Sequence, residues 1–232
     1  MIQFPEWDKQ LFITLNDLHA SWLDPIMVGF SAHWLWLPLY LTIAFFMIRK
    51  KGRIGLLALL FVILTFALTD QLSVHLFKNV FQRLRPCHEA DIQAIMHQLE
   101  GCGGRYGFIS NHAANTFGLA IFTALFFNSK KYGANVIGFS LFVLLFFKRY
   151  RFALFASIVV FLLLMRKRWY GIAIFIWAAL VSYSRIYVGK HYPLDIICGV
   201  AFGTLVGFLV FKLHQFIVPK LKLEKQIHPV TT

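Results

Sequence analysis

Acidic residues are few in this chain: ten Asp and Glu in 232 positions, against 23 Lys and Arg. All charged residues together make only 14% of the sequence, while 59% is hydrophobic. Soluble domains lie nearer a quarter charged and half apolar, so the composition excludes a water-soluble enzyme and points to an integral membrane protein. Cysteine is scarce too, at three residues, and none forms a Cys-x-x-Cys pair. No His-x-x-x-His pair occurs either, and the histidines that share a stretch with polar partners have basic neighbours, which repel a cation. No metal and no cofactor are expected. The first residues also lack a basic segment followed by a cleavable apolar core, so no leader peptide is expected.

What is present is a positive charge of +13, but it is not spread as a nucleic-acid-binding protein would spread it. The basic residues sit in short clusters between apolar runs, at 49–53, 130–131, 148–151, 166–168 and 220–225. That is the pattern of cytoplasmic loop anchors held by anionic headgroups, and no nucleic-acid partner is expected. Apolar stretches of bilayer length fall at 25–48, 54–77, 112–127, 169–187 and 194–217, each needing about twenty residues. The expected fold is therefore an all-α, polytopic helix bundle with five core transmembrane helices. Two shorter apolar runs within 135–165 read as an added hairpin, because parity requires both or neither to cross. Residues 1–24 carry Phe4, Trp7, Leu11, Leu15, Leu18 and Trp22 at helical steps, which reads as an interfacial amphipathic helix or as one packed over the end of the bundle. The organisation is then residues 1–24, a transmembrane domain over 25–217 with an outer loop at 78–111, and a cytoplasmic tail at 218–232. Cys87 and Cys102 share that loop, where an oxidising compartment permits a disulfide, although from one sequence two free thiols are the slightly favoured reading.

Three polar clusters fall at one end of this bundle. The first, "KNVFQRLRP", holds Lys78 and Arg85, seven apart and so on one helical face. The second is "SNH", in which Ser110 or Asn111 suits a helix N-cap and leaves backbone N–H groups pointing outward beside His112. The third, "SYSRIYVGKHYPLD", packs Arg185, Lys190, His191 and Asp195 into eleven residues. Singly, each basic residue near a span end reads as a headgroup anchor. Together, guanidiniums, a lysine and helix N-terminal donors make a receptor for a tetrahedral oxyanion. Two histidines beside it suit two-step phosphoryl transfer, one attacking phosphorus and one protonating the leaving oxygen. His191 and Asp195, four apart, let the carboxylate hold one ring N–H and present the other nitrogen.

These three stretches resemble the signature motifs of the type 2 phosphatidic acid phosphatase superfamily, in its membrane lipid phosphatase branch. The family pattern is K-x6-R-P, then P-S-G-H, then S-R-x5-H-x3-D. Lys78, Arg85 and Pro86 match the first, and Ser184, Arg185, His191 and Asp195 match the third. The second departs: Ile109 stands at the usual proline and Asn111 at the usual glycine, while Ser110 and His112 keep their places. The resemblance implies that His191 is the nucleophile, Asp195 its orienting acid and His112 the general acid. It implies phosphate binding by Lys78, Arg85, Ser110 and Arg185, with Asn111 contributing its backbone N–H and narrowing the pocket.

The function so implied is metal-independent hydrolysis of a lipid phosphate, through a phosphohistidine, at the extracytoplasmic face of a bacterial inner membrane. The substrate would enter from the outer leaflet. A broad lipid phosphatase or undecaprenyl pyrophosphatase is expected first and a lipid A phosphatase second. A phospholipid transporter or flippase would also want an outward basic pocket, but has no need of the His–Asp pair. Oligomeric state is left open.

Overall fold

The computed structural model describes residues 4–128 and 167–221. The expected hairpin at 135–165 and the end of the tail lie outside the described residues. Within them the chain is helical, with one isolated antiparallel bridge, Leu84 to Tyr106. The longer helices are α1 (Glu6–Asp17), α2 (Asp24–Ser31), α3 (Leu37–Leu72), α4 (Asn111–Asn128), α5 (Lys167–Tyr187) and α6 (Pro193–Lys220).

Helix α3 is a hairpin, not a rod. At Gly52 the backbone leaves helical values, with φ 50° and ψ −123°. The two arms then run back along each other, so that Tyr40 on the first lies 6.3 Å from Phe66 on the second, centroid to centroid. The basic turn at 49–53 is therefore the tip of that hairpin. The second arm widens into a π-helical turn, Ser73–Lys78, and a last helical turn, Asn79–Phe81. Among the described residues, three stretches are long and apolar enough to cross a membrane: His33–Phe81, Trp169–Tyr187 and Pro193–Lys220. The first expected span, 25–48, is not one helix. Helix α2 ends at Ser31, Ala32 is extended, and a 3₁₀ turn at His33–Trp36 leads into α3.

The core lies between the α3 hairpin, α4, α5 and α6, around Phe46, Phe122, Phe126 and Tyr170. In lipid, apolar burial does not drive helices together, because acyl chains are as apolar as Leu; close packing does. Gly203 on α6 is placed accordingly. A Cβ there would fall 2.0 Å from the Ala114 carbonyl oxygen of α4, so any other residue would force the two helices apart. Large apolar side chains such as Leu60, Ile63, Ile176, Leu205 and Leu209 face outward, as they do on lipid-facing surfaces. At the far end of α4 the Lys51 ammonium of the hairpin tip donates to the Phe126 carbonyl, 3.1 Å away. The 18 residues of α4 thus separate that tip from Ser110 by about 27 Å.

Candidate active site

Helix α5 delivers Arg185 and then stops abruptly. Lys190 N–H donates to the Arg185 carbonyl at 2.9 Å and Gly189 N–H to that of Ile186 at 3.0 Å, the paired closure of a Schellman turn. Gly189 has φ +81°, where a side chain is strained, and a Cβ would also meet Met96 at 2.7 Å. The turn folds His191 back beneath the end of α5, its N–H reaching the Arg185 carbonyl at 3.2 Å. Helix α6 begins at Pro193, so His191 precedes it and does not share a helix with Asp195 as the spacing suggested. The contact forms by capping instead. As the third residue of α6, Asp195 reaches back, and its Oδ2 accepts the Tyr192 N–H at 3.1 Å and lies 3.3 Å from His191 Nδ1. A carboxylate only accepts, so Nδ1 carries the hydrogen and Nε2 keeps its lone pair. That Nε2 is 3.3 Å from Arg85 Nη1. Burial, followed by the charges of Arg85, Arg185, Lys78 and Lys190, holds the imidazole well below its ordinary range. It is therefore neutral at pH 7.

Lys78 and Arg85 do not share a helical face. The helix ends at Phe81, where Gln82 turns left-handed with φ 46°, and Arg85 lies in an extended segment. That segment is pinned by Gly107 N–H on the Arg83 carbonyl (2.9 Å) and Arg85 N–H on the Arg105 carbonyl (3.2 Å). Side chains two apart in extended chain point the same way, so Arg83 accompanies Arg85 into the site. Arg83 is the residue that the sequence reading left unassigned. Its Nη1 is 2.9 Å from Asp195 Oδ1, and its Nη2 is 2.6 Å from Asp8 Oδ2 on α1. The guanidinium is sandwiched between the Phe4 and Tyr192 rings, 4.1 and 4.0 Å from their centroids. Asp8 also accepts the Leu194 N–H at 2.8 Å, so α1 is tied directly to the start of α6.

Ser110 caps α4, its Oγ accepting Ala113 N–H at 3.5 Å, and its own N–H donates to the Asp195 carbonyl at 3.0 Å. His112, in the first turn, sets Nε2 3.5 Å from His33 Nδ1 and lies within electrostatic reach of Arg185 and His191. It lines a cavity of about 320 Å³ walled by Phe30, Trp36, Tyr40 and Phe66, with Asp70, Asn111 and Asn115 at its polar end. Asp70 accepts the Asn111 side-chain amide at 2.8 Å. Arg185 donates to the Ser31 hydroxyl and lies 3.6 Å from Glu100, which also holds Lys190 at 2.5 Å. Burial pushes the Glu100 carboxyl up, but the Lys190 and Ser31 hydrogen bonds and the Lys190 and Arg185 charges outweigh it and hold the group below its ordinary value. Residues 55–219 match the model of the PAP2 superfamily. The chain belongs to the PAP2 superfamily. It is 33% identical over 215 residues to a lipid A 4'-phosphatase of Porphyromonas gingivalis, covering 91% of this chain and 74% of that one. It is 30% identical over 231 residues to a lipid A 4'-phosphatase of Bacteroides thetaiotaomicron, covering 98% and 86%. An undecaprenyl-diphosphatase of Sulfolobus acidocaldarius matches at 46% identity, but over 56 residues, 24% of this chain and 27% of that one. Among solved structures, a PAP2-type phosphatidylglycerolphosphate phosphatase from Bacillus subtilis superposes with a TM-score of 0.60 at 23% identity, covering 91% of this chain and 86% of that one.

All the residues singled out in the three PAP2 motifs come to one end of the bundle, around His191. Lys78, Arg85 and Arg185 bear on it electrostatically, and Ser110 is bonded to the backbone of Asp195. Arg83, Asp8, Asp70 and Asn115 were missed. The Arg-x-Arg alternation ahead of Pro86 was the signal for Arg83. An acidic residue in a first helical turn is too common to have marked Asp8. In the loop between α3 and α4, Cys87 and Cys102 are joined as a disulfide, with Cα atoms 5.8 Å apart.

Proposed function

We propose that this protein removes the phosphate monoester from a lipid A-type glycolipid through a phosphohistidine, at the extracytoplasmic face of a bacterial inner membrane. That it is a membrane lipid phosphatase follows from its family and its relatives. The choice of lipid reverses the order expected from the motifs alone. Relatives alike over nine-tenths of the chain are lipid A 4'-phosphatases, while the undecaprenyl-diphosphatase likeness is confined to short segments.

One observation carries the mechanism: His191 has its Nδ1 beside the Asp195 carboxylate and its Nε2 beside the Arg85 guanidinium, each at 3.3 Å. The attacking nitrogen thus faces a group that binds phosphate oxygens. In the first step Nε2 attacks phosphorus, the bond from phosphorus to the lipid oxygen breaks, and His112 gives that oxygen its proton. In the second, water attacks the phosphohistidine and yields a proton to His112, which releases inorganic phosphate and restores neutral His191. Lys78, Arg85 and Arg185, with the Ser110 hydroxyl and the Asn111 backbone N–H, hold the equatorial oxygens, where phosphoryl-transfer catalysis mostly acts; the Ser110 N–H is taken by the Asp195 carbonyl. The two arms of α3 with α4, α5 and α6 would be the five crossing helices, and α1 would lie at the interface.

The test is trapping of the intermediate. Rapid acid-free quenching of purified protein with labelled lipid phosphate should leave label on His191, stable to alkali and lost in acid. His191→Ala should lose the label and about 10³-fold or more of turnover, since a nucleophile supplies several kcal/mol of barrier lowering. Turnover of His191→Ala above a hundredth of wild type, roughly 2.7 kcal/mol, would end the covalent assignment. Activity should also persist in excess chelator; loss restored by added magnesium would contradict a phosphate held by basic side chains alone.

A further inference from the structure

The cavity beside His112 has the wrong chemistry for a phosphate. Its polar end is built on Asp70, which accepts the side-chain amides of Asn111 at 2.8 Å and Asn115 at 3.0 Å. A carboxylate only accepts, so both amides must turn their NH₂ groups toward it, and this fixes which way each one points. The Asn115 oxygen then receives the Thr69 hydroxyl. The Asn111 oxygen receives nothing: it is buried and has no hydrogen-bond partner. The Asn111 oxygen is closed off from the cavity, so what the cavity offers is the Asp70 carboxylate between aromatic walls.

A phosphate ester near neutral pH carries acceptors and negative charge, so Asp70 repels it. A hydroxyl can donate to that carboxylate, and the aromatic walls suit the apolar faces of a ring. From this we infer that the cavity is the leaving-group subsite, and that it selects an uncharged, hydroxyl-bearing sugar ring over the phosphate of a diphosphate. Asp70 and Asn111 are its specificity determinants. The inference rests on the phosphatase reading above, in which His112 protonates the departing oxygen. Because His112 lines this cavity, the alcohol that it protonates sits inside. Asn111 stands where the family motif has glycine, and the side chain that narrows the pocket also holds the Asp70 carboxylate in place, at 2.8 Å.

The experiment compares kcat/KM on two substrates in mixed micelles, an acylated glucosamine 4-phosphate and farnesyl diphosphate. Wild type should prefer the sugar phosphate. Asp70→Asn should narrow that preference by about tenfold or more, the scale on which a polar site built for a hydroxyl discriminates, through both a loss on the sugar and a gain on the diphosphate. A ratio within about twofold of wild type, which is inside the spread of ordinary surface changes, would overturn the subsite while leaving the phosphatase reading intact. If Asp70→Asn fails to fold, wild type decides. The same glycolipid with a free 4-hydroxyl should inhibit competitively, and no inhibition at a concentration well above the substrate KM would overturn the proposal. Release of phosphate from neither substrate by wild type would overturn the phosphatase reading and the subsite together.

Discussion

Arg83 differs from the other guanidiniums of the site in that its charge is already matched. Two fully buried carboxylates, Asp8 and Asp195, flank it at 2.6 and 2.9 Å, and two rings cover its faces. A phosphate would have to displace Asp195 to reach it, so Arg83 works as a positioning residue: it holds Asp195, which holds His191. Removing one member of a buried ion group leaves an uncompensated charge, at about 3–5 kcal/mol. Arg83→Ala should accordingly lower the melting temperature in detergent and reduce kcat more than it raises KM. Arg83→Ala and Asp8→Ala should be strongly non-additive in stability, with a coupling of roughly 0.5–3 kcal/mol, as expected within one network. Additive losses would mean that Asp8 acts on something other than Arg83. The histidines and the motif arginines were legible because their residue types and spacing are themselves the chemistry. Arg83 was marked only by the Arg-x-Arg alternation ahead of Pro86, whose meaning depends on the chain becoming extended after Gln82 and not staying helical.

Helix α1 inverts the usual rule at the scale of the element. Its buried stripe is Asp8, Phe12 and Asn16, while Trp7 and Leu11 are exposed, as are Leu18 and Trp22 just beyond it. The apolar stripe marked in the sequence is divided: Trp7, Leu11, Leu18 and Trp22 face outward, while Phe4 packs on Arg83 and Leu15 on the cluster around Phe12. The buried polar stripe does the joining. Asn16 donates to the carbonyls of His97, Ile186 and Tyr187 and accepts the His97 N–H at 2.7 Å, which ties α1 to the outer loop and to the end of α5 at once. Nothing in the sequence distinguishes such an Asn from a solvated one; the partners lie 81 to 171 residues away. Asn16→Leu removes these bonds and leaves buried carbonyls unpaired, at about 1–3 kcal/mol. It should lower thermal stability and also kcat, because Asp8 on the same helix would lose its register against Arg83. A stable Asn16→Leu protein with unchanged kcat would separate α1 from catalysis.

Over the whole molecule, the helical arms were legible because bilayer length and basic turns are coarse signals that survive local error. The break at Ala32 and the π-helical turn before Lys78 were not, since both depend on packing between arms. The molecule also has two distinct ends. Lys78, Ser110, His112 and Arg185 to Asp195 gather at one, and the Gly52 tip and the C-terminal end of α6 belong to the other, a separation set by α4 at about 27 Å, close to the thickness of a hydrocarbon core. Lys50, Lys51 and Lys220 cluster at the second end. Basic residues are retained on the cytoplasmic side, so the site should face outward, where an oxidising compartment also allows the Cys87–Cys102 bridge. With that bridge intact, Cys198 is the remaining free thiol. In a Cys198→Ala background, Gln93→Cys in the exposed outer loop should react with a membrane-impermeant maleimide in intact spheroplasts. Leu221→Cys, exposed at the end of α6, should react only after the membrane is opened. The opposite labelling pattern would reverse the protein in the bilayer and put phosphate release in the cytoplasm.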